Sequence, residues 1–254
     1  MKLILSPAKS IDTIKNVQLK EFSVSPFLPE SSILVKKLRK FSVKKLQEMM
    51  HISTDLAELN YLRYKNWVLP EQPTDEIIPA VLAFNGEVYK GLDARSLTEE
   101  QSQNMQESVY ILSGLYGVLK PMDLIFPYRL EMGTKWDISS KHKNLYAYWG
   151  KKIAAYLNKN MSEKEVLINL ASAEYFKAVD KKIFKSTIIT PIFKEFKNGE
   201  YKIVMMYAKH ARGAMARYCI VNKIQDPEEL KLYTVDGYSF DSNQSTENEW
   251  VFVR

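Results

Sequence analysis

PIFKEFKNGEYKIVMMYAKHARGAMARY, residues 191–218, contains a change of periodicity that separates strand from helix. PIFKEFK and EYKIVMMY are rich in aromatic and β-branched residues and read as two strands. Asn198-Gly199 joins them, a pair suited to the positive φ angles of a tight hairpin turn. From Tyr207 onward the pattern is helical. At about 100° per residue, Lys209, His210, Arg212 and Arg217 share one side with Gly213 and Ala216, while Tyr207, Ala211, Ala214, Met215 and Tyr218 occupy the other. A strand hairpin feeding a basic helix requires a fold that mixes both element types.

The helix is unusual in its charge. A solvated surface helix gains from acids placed among its basic residues, yet no Asp or Glu occurs between Glu200 and Asp226. Gly213 costs about 1 kcal/mol against Ala in a helix interior, so close approach is its expected role. Two readings follow. Small residues admit a phosphate to the backbone while Lys209, Arg212 and Arg217 hold it, or they admit a neighbouring helix while the arginines pair with distant acids.

Working outward, MKLIL, VYILSG (109–114), VLINLAS (166–172) and the terminal WVFVR read as further strands. Ser31 to Trp67 reads as helical, with Leu34, Leu38 and Phe41 in register, Ser42 and Ser53 as caps, and Leu56, Leu59 and Leu62 on a later stripe. Pro70, Pro73 and Pro79 mark a loop. A short helix through Phe84 and Tyr89 is expected next, including Gly86, then a turn at Gly91-Leu92-Asp93. Thr98-Glu99-Glu100-Gln101 has the spacing of a capping box. Asp236-Gly237 is a second turn. The expectation is an α+β (mixed α/β) fold over residues 1–254, one compact domain with a mixed β-sheet and surrounding helices.

Composition narrows the function classes. The chain is 46% hydrophobic and carries a formal net charge of +6 with a pI near 9.1, which favours a polyanionic partner. No window approaches the ~20 apolar residues of a membrane span, and one cysteine, Cys219, suits a reducing cytoplasm. His51, His142 and His210 are scattered, so neither a metal nor a cofactor is expected. KLQEMMHISTDLAELNYLRY (45–64) superficially suggests a helix-turn-helix, but Asp55 and Glu58 oppose a phosphate surface, and ordinary core helices are the better reading. Lys36, Lys37, Arg39, Lys40, Lys44 and Lys45 read as a solvated face.

Three strand-like runs end on polar residues: LILS before Pro7-Ala8-Lys9, YILS before Gly114, and LINLAS before Ala173-Glu174-Tyr175. Ser6, Ser113, Asn169 and Ser172 therefore stand where open α/β sheets place a ligand crevice, although Ser172 also suits a helix N-cap. PYRLEMGTKW (127–136) adds Arg129, Glu131 and Lys135 on a loop that can border the same cleft.

At these residues the chain resembles a known family. SPAK (6–9), FNGEVYKGLDA (84–94), LSGLYGVLKPMDLIFPYRLEMGT (112–134), NLASAEYFK (169–177) and AKHARGAMARY (208–218) are similar to the YaaA family of bacterial peroxide-stress proteins. The resemblance implies a single-domain mixed α/β fold with a positively charged cleft, and a part in surviving hydrogen peroxide while limiting free iron. It also implies DNA binding through that cleft and a helix-hairpin-helix around residues 84–101, where Lys90, Gly91 and Arg95 would meet phosphate.

Three classes stay open. In the first, DNA is the partner, held through its backbone by Lys209, Arg212, Arg217, Lys9 and Arg129 with the hairpin in support. In the second, an enzyme acts on a nucleotide or nucleic acid with Ser6, Lys9, Glu131, Asn169 and Ser172 as catalytic candidates. The third is an interaction module for an acidic protein. The sequence leaves the oligomeric state open, and a monomer is compatible with it.

Overall fold

The computed structural model describes residues 1–13 and 21–254. The apolar run after Met1 forms β1 (Lys2–Leu5), in which Leu3, Ile4 and Leu5 are buried; β2 (Ser10–Ile11) follows. Helices α1 (Leu28–Leu38), α2 (Val43–Met50) and α3 (Thr54–Asn66) occupy the segment read as helical. The hydroxyls of Ser42 and Ser53 accept from the amides of Lys45 and Leu56, satisfying donors that an uncapped helix end leaves open.

Two expectations change here. Leu56, Leu59 and Leu62 are exposed, and α3 instead buries Ala57, Asn60 and Tyr64. The large Tyr64 ring takes the inward stripe, and its hydroxyl donates to the carbonyl of Arg129. Arg39 leaves the solvated basic face: its Nε donates to Tyr64 O at 2.7 Å and its guanidinium also bonds Trp67 O, capping the carboxyl end of α3.

Next come β3 (Ile78–Pro79), α4 (Ala80–Ala83), β4 (Phe84–Asn85), α5 (Glu87–Leu92) and α6 (Glu99–Ser108). Phe84 is therefore in a strand, paired with β2, rather than in a helix. Gly86 precedes α5 as its N-cap, and Gly91 is inside α5 rather than in a turn. The turn itself is made by Asp93, at φ 44°. The capping box of α6 is complete: Gln101 N donates to Thr98 Oγ1 at 3.3 Å and Thr98 N to Gln101 Oε1 at 3.0 Å.

The chain continues through β5 (Val109–Ser113), β6 (Gly117–Leu119), β7 (Leu124–Ile125), α7 (Leu145–Trp149), α8 (Lys152–Asn160), β8 (Leu167–Leu170) and α9 (Ala173–Phe176). It ends with β9 (Ile188–Lys197), β10 (Glu200–Lys202), α10 (Met205–Val221), β11 (Ser239–Asp241) and β12 (Glu249–Val253). Asn198 at φ 56° and Gly199 at φ 82° close the β9–β10 hairpin as the sequence requires. The strand expected over 200–207 stops at Lys202, and the helix begins at Met205. Pairing with β9 ends at Lys202, after which Met and Ala favour helix.

The main sheet runs β11-β12-β9-β8-β1-β5-β6, with β10 added to β9. From β12 to β5 every neighbour is parallel; β6, β10 and β11 are antiparallel additions. The fold is thus mixed α/β. From β1 the chain goes to β5 on one side and later to β8 on the other. Strand order reverses about β1, the position at which open α/β sheets place a ligand crevice.

Candidate functional site

The loops leaving β1 and β8 are tied together by hydroxyls. Ser172 N donates to Ser6 Oγ at 2.8 Å, and Ser6 Oγ donates to Ser172 Oγ at 3.3 Å. Ser172 Oγ also caps α9 through Tyr175 N, and Tyr89 OH donates to Ser6 O at 3.0 Å. Asn169 is buried, accepting from Ala171 N at 3.1 Å and donating to Thr190 Oγ1 at 3.3 Å. Ser113 shares a 2.6 Å hydrogen bond with Tyr128. These groups tie the strand ends to the loops and helices that follow them. The serines bond to hydroxyls and amides, and among the described residues no histidine or carboxylate stands against Ser6 or Ser172 to activate it.

Three of the charged candidates, Lys9, Arg129 and Glu131, converge. Lys9 Nζ lies 2.7 Å from Glu131 Oε2, while Arg129 donates to Glu131 Oε1 at 3.1 Å. Lys9, Arg129 and Glu131 line an open pocket of about 380 Å³ together with His51, Lys135 and Glu174. Glu174 accepts from Gly133 N at 2.9 Å and so folds the 127–136 loop against α9. Two lysines and an arginine against two glutamates make the pocket cationic only by a small margin. Arg129 Nε is buried without a partner among the described residues.

The basic helix α10 forms as expected, but its small residues answer to packing. A Cβ on Gly213 would lie 1.7 Å from Val88 O, and one on Gly91 would lie 2.2 Å from His210 O. The two glycines let α5 and α10 cross backbone to backbone. Gly213 therefore meets a neighbouring helix, which displaces the reading in which it admits phosphate. Gly91 is closed off in the same way. Arg217 caps α5, donating to Leu92 O at 3.1 Å and Asp93 O at 2.8 Å. Its guanidinium also stands 3.8 Å from the Asp93 carboxylate.

Lys209 and Arg212 are different. Lys209 is exposed. Arg212 is partly buried, and among the described residues it has neither a hydrogen-bond nor an ion-pair partner. Burial alone holds its pKa below the ordinary guanidinium value. His210 Nε2, by contrast, stands 3.7 Å from Asp236 Oδ2.

Lys90 and Arg95 are together, lining an open pocket of about 160 Å³ with Asp12 and Asp93. Lys90 pairs with Glu87 at 2.7 Å, and Arg95 donates to Leu82 O at 3.3 Å. The turn between α5 and α6 presents the Asp93 carboxylate, which accepts from Ser96 Oγ at 2.6 Å. Sequence reasoning misses Tyr89 and Glu174 as organisers of the site. Each acts across a large separation along the chain, and no local spacing signals it.

Among the described residues no group of three or more His, Cys, Asp or Glu could hold a metal ion, and no helix is long and apolar enough to cross a membrane. Cys219 is buried, and desolvation pushes its thiol up to about 12.

The chain is similar to known proteins over its whole length. A family model described as "Peroxide stress protein YaaA" matches residues 1–244. A UPF0246 protein of Ralstonia pickettii is 47% identical over 256 residues, covering 100% of this chain and 99% of its own. A UPF0246 protein of Flavobacterium psychrophilum is 46% identical over 254 residues, covering 100% of both chains. One from Neisseria meningitidis serogroup A is 46% identical over 256 residues, with 100% and 98% covered.

Proposed function

Taking as premise that this chain belongs to the peroxide stress protein YaaA family, we propose that it binds DNA by its phosphate backbone, without strong sequence specificity, as part of a cytoplasmic response to hydrogen peroxide. The observation that carries this reading is Arg212, a half-buried guanidinium with no acid partner among the described residues. Desolvating a cation is unfavourable unless an anion completes its shell, and a phosphate oxygen does so with charge-assisted hydrogen bonds. Lys209, one turn away and exposed, supplies a second contact. Lys9 and Arg129 extend the track at the strand ends, and Lys90 with Arg95 offers a further contact near the α5–α6 turn. Arg217 and Gly91 support the fold beneath these groups rather than touching phosphate. Protection of DNA and an indirect limit on iron-driven damage follow as the physiological role.

The test is fluorescence anisotropy of labelled duplex across a salt series, with Lys209→Ala/Arg212→Ala beside wild type. Binding that weakens steeply with salt, and a flatter slope in the folded variant, supports the reading. Weak, salt-insensitive binding by the wild type sinks it.

A second reading rests on the Lys9–Glu131–Arg129 cluster, which sits in a concave pocket at the strand ends. There the protein would be an enzyme acting on a nucleotide or nucleic acid. Displacement of DNA by micromolar ATP or GMP, together with loss of turnover in Glu131→Gln, would favour it.

A further inference from the structure

Helix α3 turns a leucine stripe outward. Leu56, Leu59 and Leu62 are 39%, 42% and 56% exposed, although all three have the spacing of a packed helix face. With Leu59 set at zero and about 100° per residue, the buried Ala57, Asn60 and Tyr64 fall between about 100° and 160°. The opposite side carries two rows at four-residue spacing, Asp55–Leu59–Arg63 and Glu58–Leu62–Asn66, between about 260° and 40°. One exposed leucine needs no explanation, but a contiguous strip of them marks an interaction surface.

Charge narrows the occupant. The side chains of Asp55, Glu58 and Arg63 have no ion pair or hydrogen bond among the described residues. Arg63 is nevertheless partly buried, and desolvation lowers its pKa despite the attraction of Glu76. Two unpaired acids beside the leucines repel a polyanion and an anionic membrane surface alike. The rows are instead complementary to themselves. Asp55 stands four residues before Leu59 and Arg63 four residues after it, so a half-turn about an axis beside Leu59 lays Asp55 of one copy against Arg63 of the other. The commonest helix crossing, near −50°, sets the i±4 rows of both helices parallel and interleaves them. In that geometry the row Asp55–Leu59–Arg63 runs antiparallel beside its own copy, the two Leu59 side chains meet at the axis, and Leu62 flanks them from the adjoining row.

We infer that α3 is a self-association surface, on which two copies of this chain pack helix against helix about a two-fold axis at Leu59, with Asp55 and Arg63 paired across it. The inference goes beyond the DNA-binding reading and does not depend on it. Thirteen residues make α3 about 20 Å long. A strip of that length and about 10 Å wide falls well short of the ~800 Å² per partner of a stable complex. The dimer is therefore weak and depends on concentration.

Sedimentation velocity on the full chain from about 1 to about 500 µM tests this, with an expected Kd of about 10–100 µM for wild type. Leu59→Gln, Asp55→Arg and Arg63→Glu should each weaken association at least about tenfold, with circular dichroism and a melting curve confirming that each is folded. An equimolar mixture of Asp55→Arg and Arg63→Glu should regain it, because opposite charges then meet at both ends of the axis. Residues eight apart on one helix do not touch, so this recovery reports contact between copies. Wild type that stays monomeric throughout overturns the proposal and leaves the strip to a partner of another sequence. A dimer that Leu59→Gln leaves intact overturns it too, by placing the contact elsewhere. A mixture that stays monomeric overturns the two-fold pairing. Should Arg63→Glu unfold, Leu59→Gln and Asp55→Arg, both at exposed positions, decide the matter alone.

Discussion

Gly213 illustrates how one residue can carry a false signal. Its cost in a helix interior is real, and the need for close approach is real, but the approaching group is Val88 of α5. Gly213→Ala would force the two backbones apart, and we expect a loss of at least about 2 kcal/mol in urea unfolding. The same change at a solvent-facing helix glycine would stabilise. Cys219 gives a second prediction at this scale. A thiol raised to about 12 from 9.0 holds roughly a thousandfold less thiolate at neutral pH than an unperturbed one. Peroxide at concentrations that oxidise free cysteine should leave Cys219 reduced in the native protein, as intact mass would report. It should react once urea opens the fold. A peroxide response that ran through Cys219 sulfenate would contradict this.

Among elements, local signals and tertiary demands separate cleanly. The α6 box is a purely local device, with Thr98 and Gln101 serving each other, and it is legible in four letters. Thr98→Ala is expected to cost about 1 kcal/mol, seen as a lower urea midpoint with an unchanged m-value. Ser42, Ser53 and the Asn198-Gly199 turn are legible for the same reason. α3 is not: its leucine stripe and its Ala57–Asn60–Tyr64 stripe both have helical spacing. Only the packing of Tyr64 onto the 127–136 loop settles which of them faces inward. The boundary at Met205 likewise depends on where β10 leaves β9, after Lys202.

For the whole molecule, net charge of +6 predicts salt-dependent association with polyanions, but the distribution of that charge decides where. Removing Lys209 and Arg212 together should flatten the slope of log affinity against log salt by about 2 on duplex, at roughly 0.9 for each phosphate no longer neutralised. Arg217→Ala should leave that slope unchanged while lowering stability, since its guanidinium serves the carboxyl end of α5. A salt slope equally reduced in Arg217→Ala would return that residue to the interface.

The chain's own letters determined the mixture of strands and helices, the caps at Ser42, Ser53, Thr98 and Ser172, the Asn198-Gly199 turn, and the placing of Ser6, Asn169 and Ser172 at strand ends. Each of these depends on neighbours within a few residues or on a hydrophobic period, and such interactions are written locally. They also determined that Lys9, Arg129 and Glu131 are available for a polar site. Tertiary structure alone decided which cations remain free. Arg39 and Arg217 are held by carbonyls, Lys9 and Arg129 by Glu131, and Arg212 by none of the described residues. The reason is physical: a guanidinium takes whichever acceptor the fold brings within about 3 Å, and that acceptor lies up to 125 positions away along the chain.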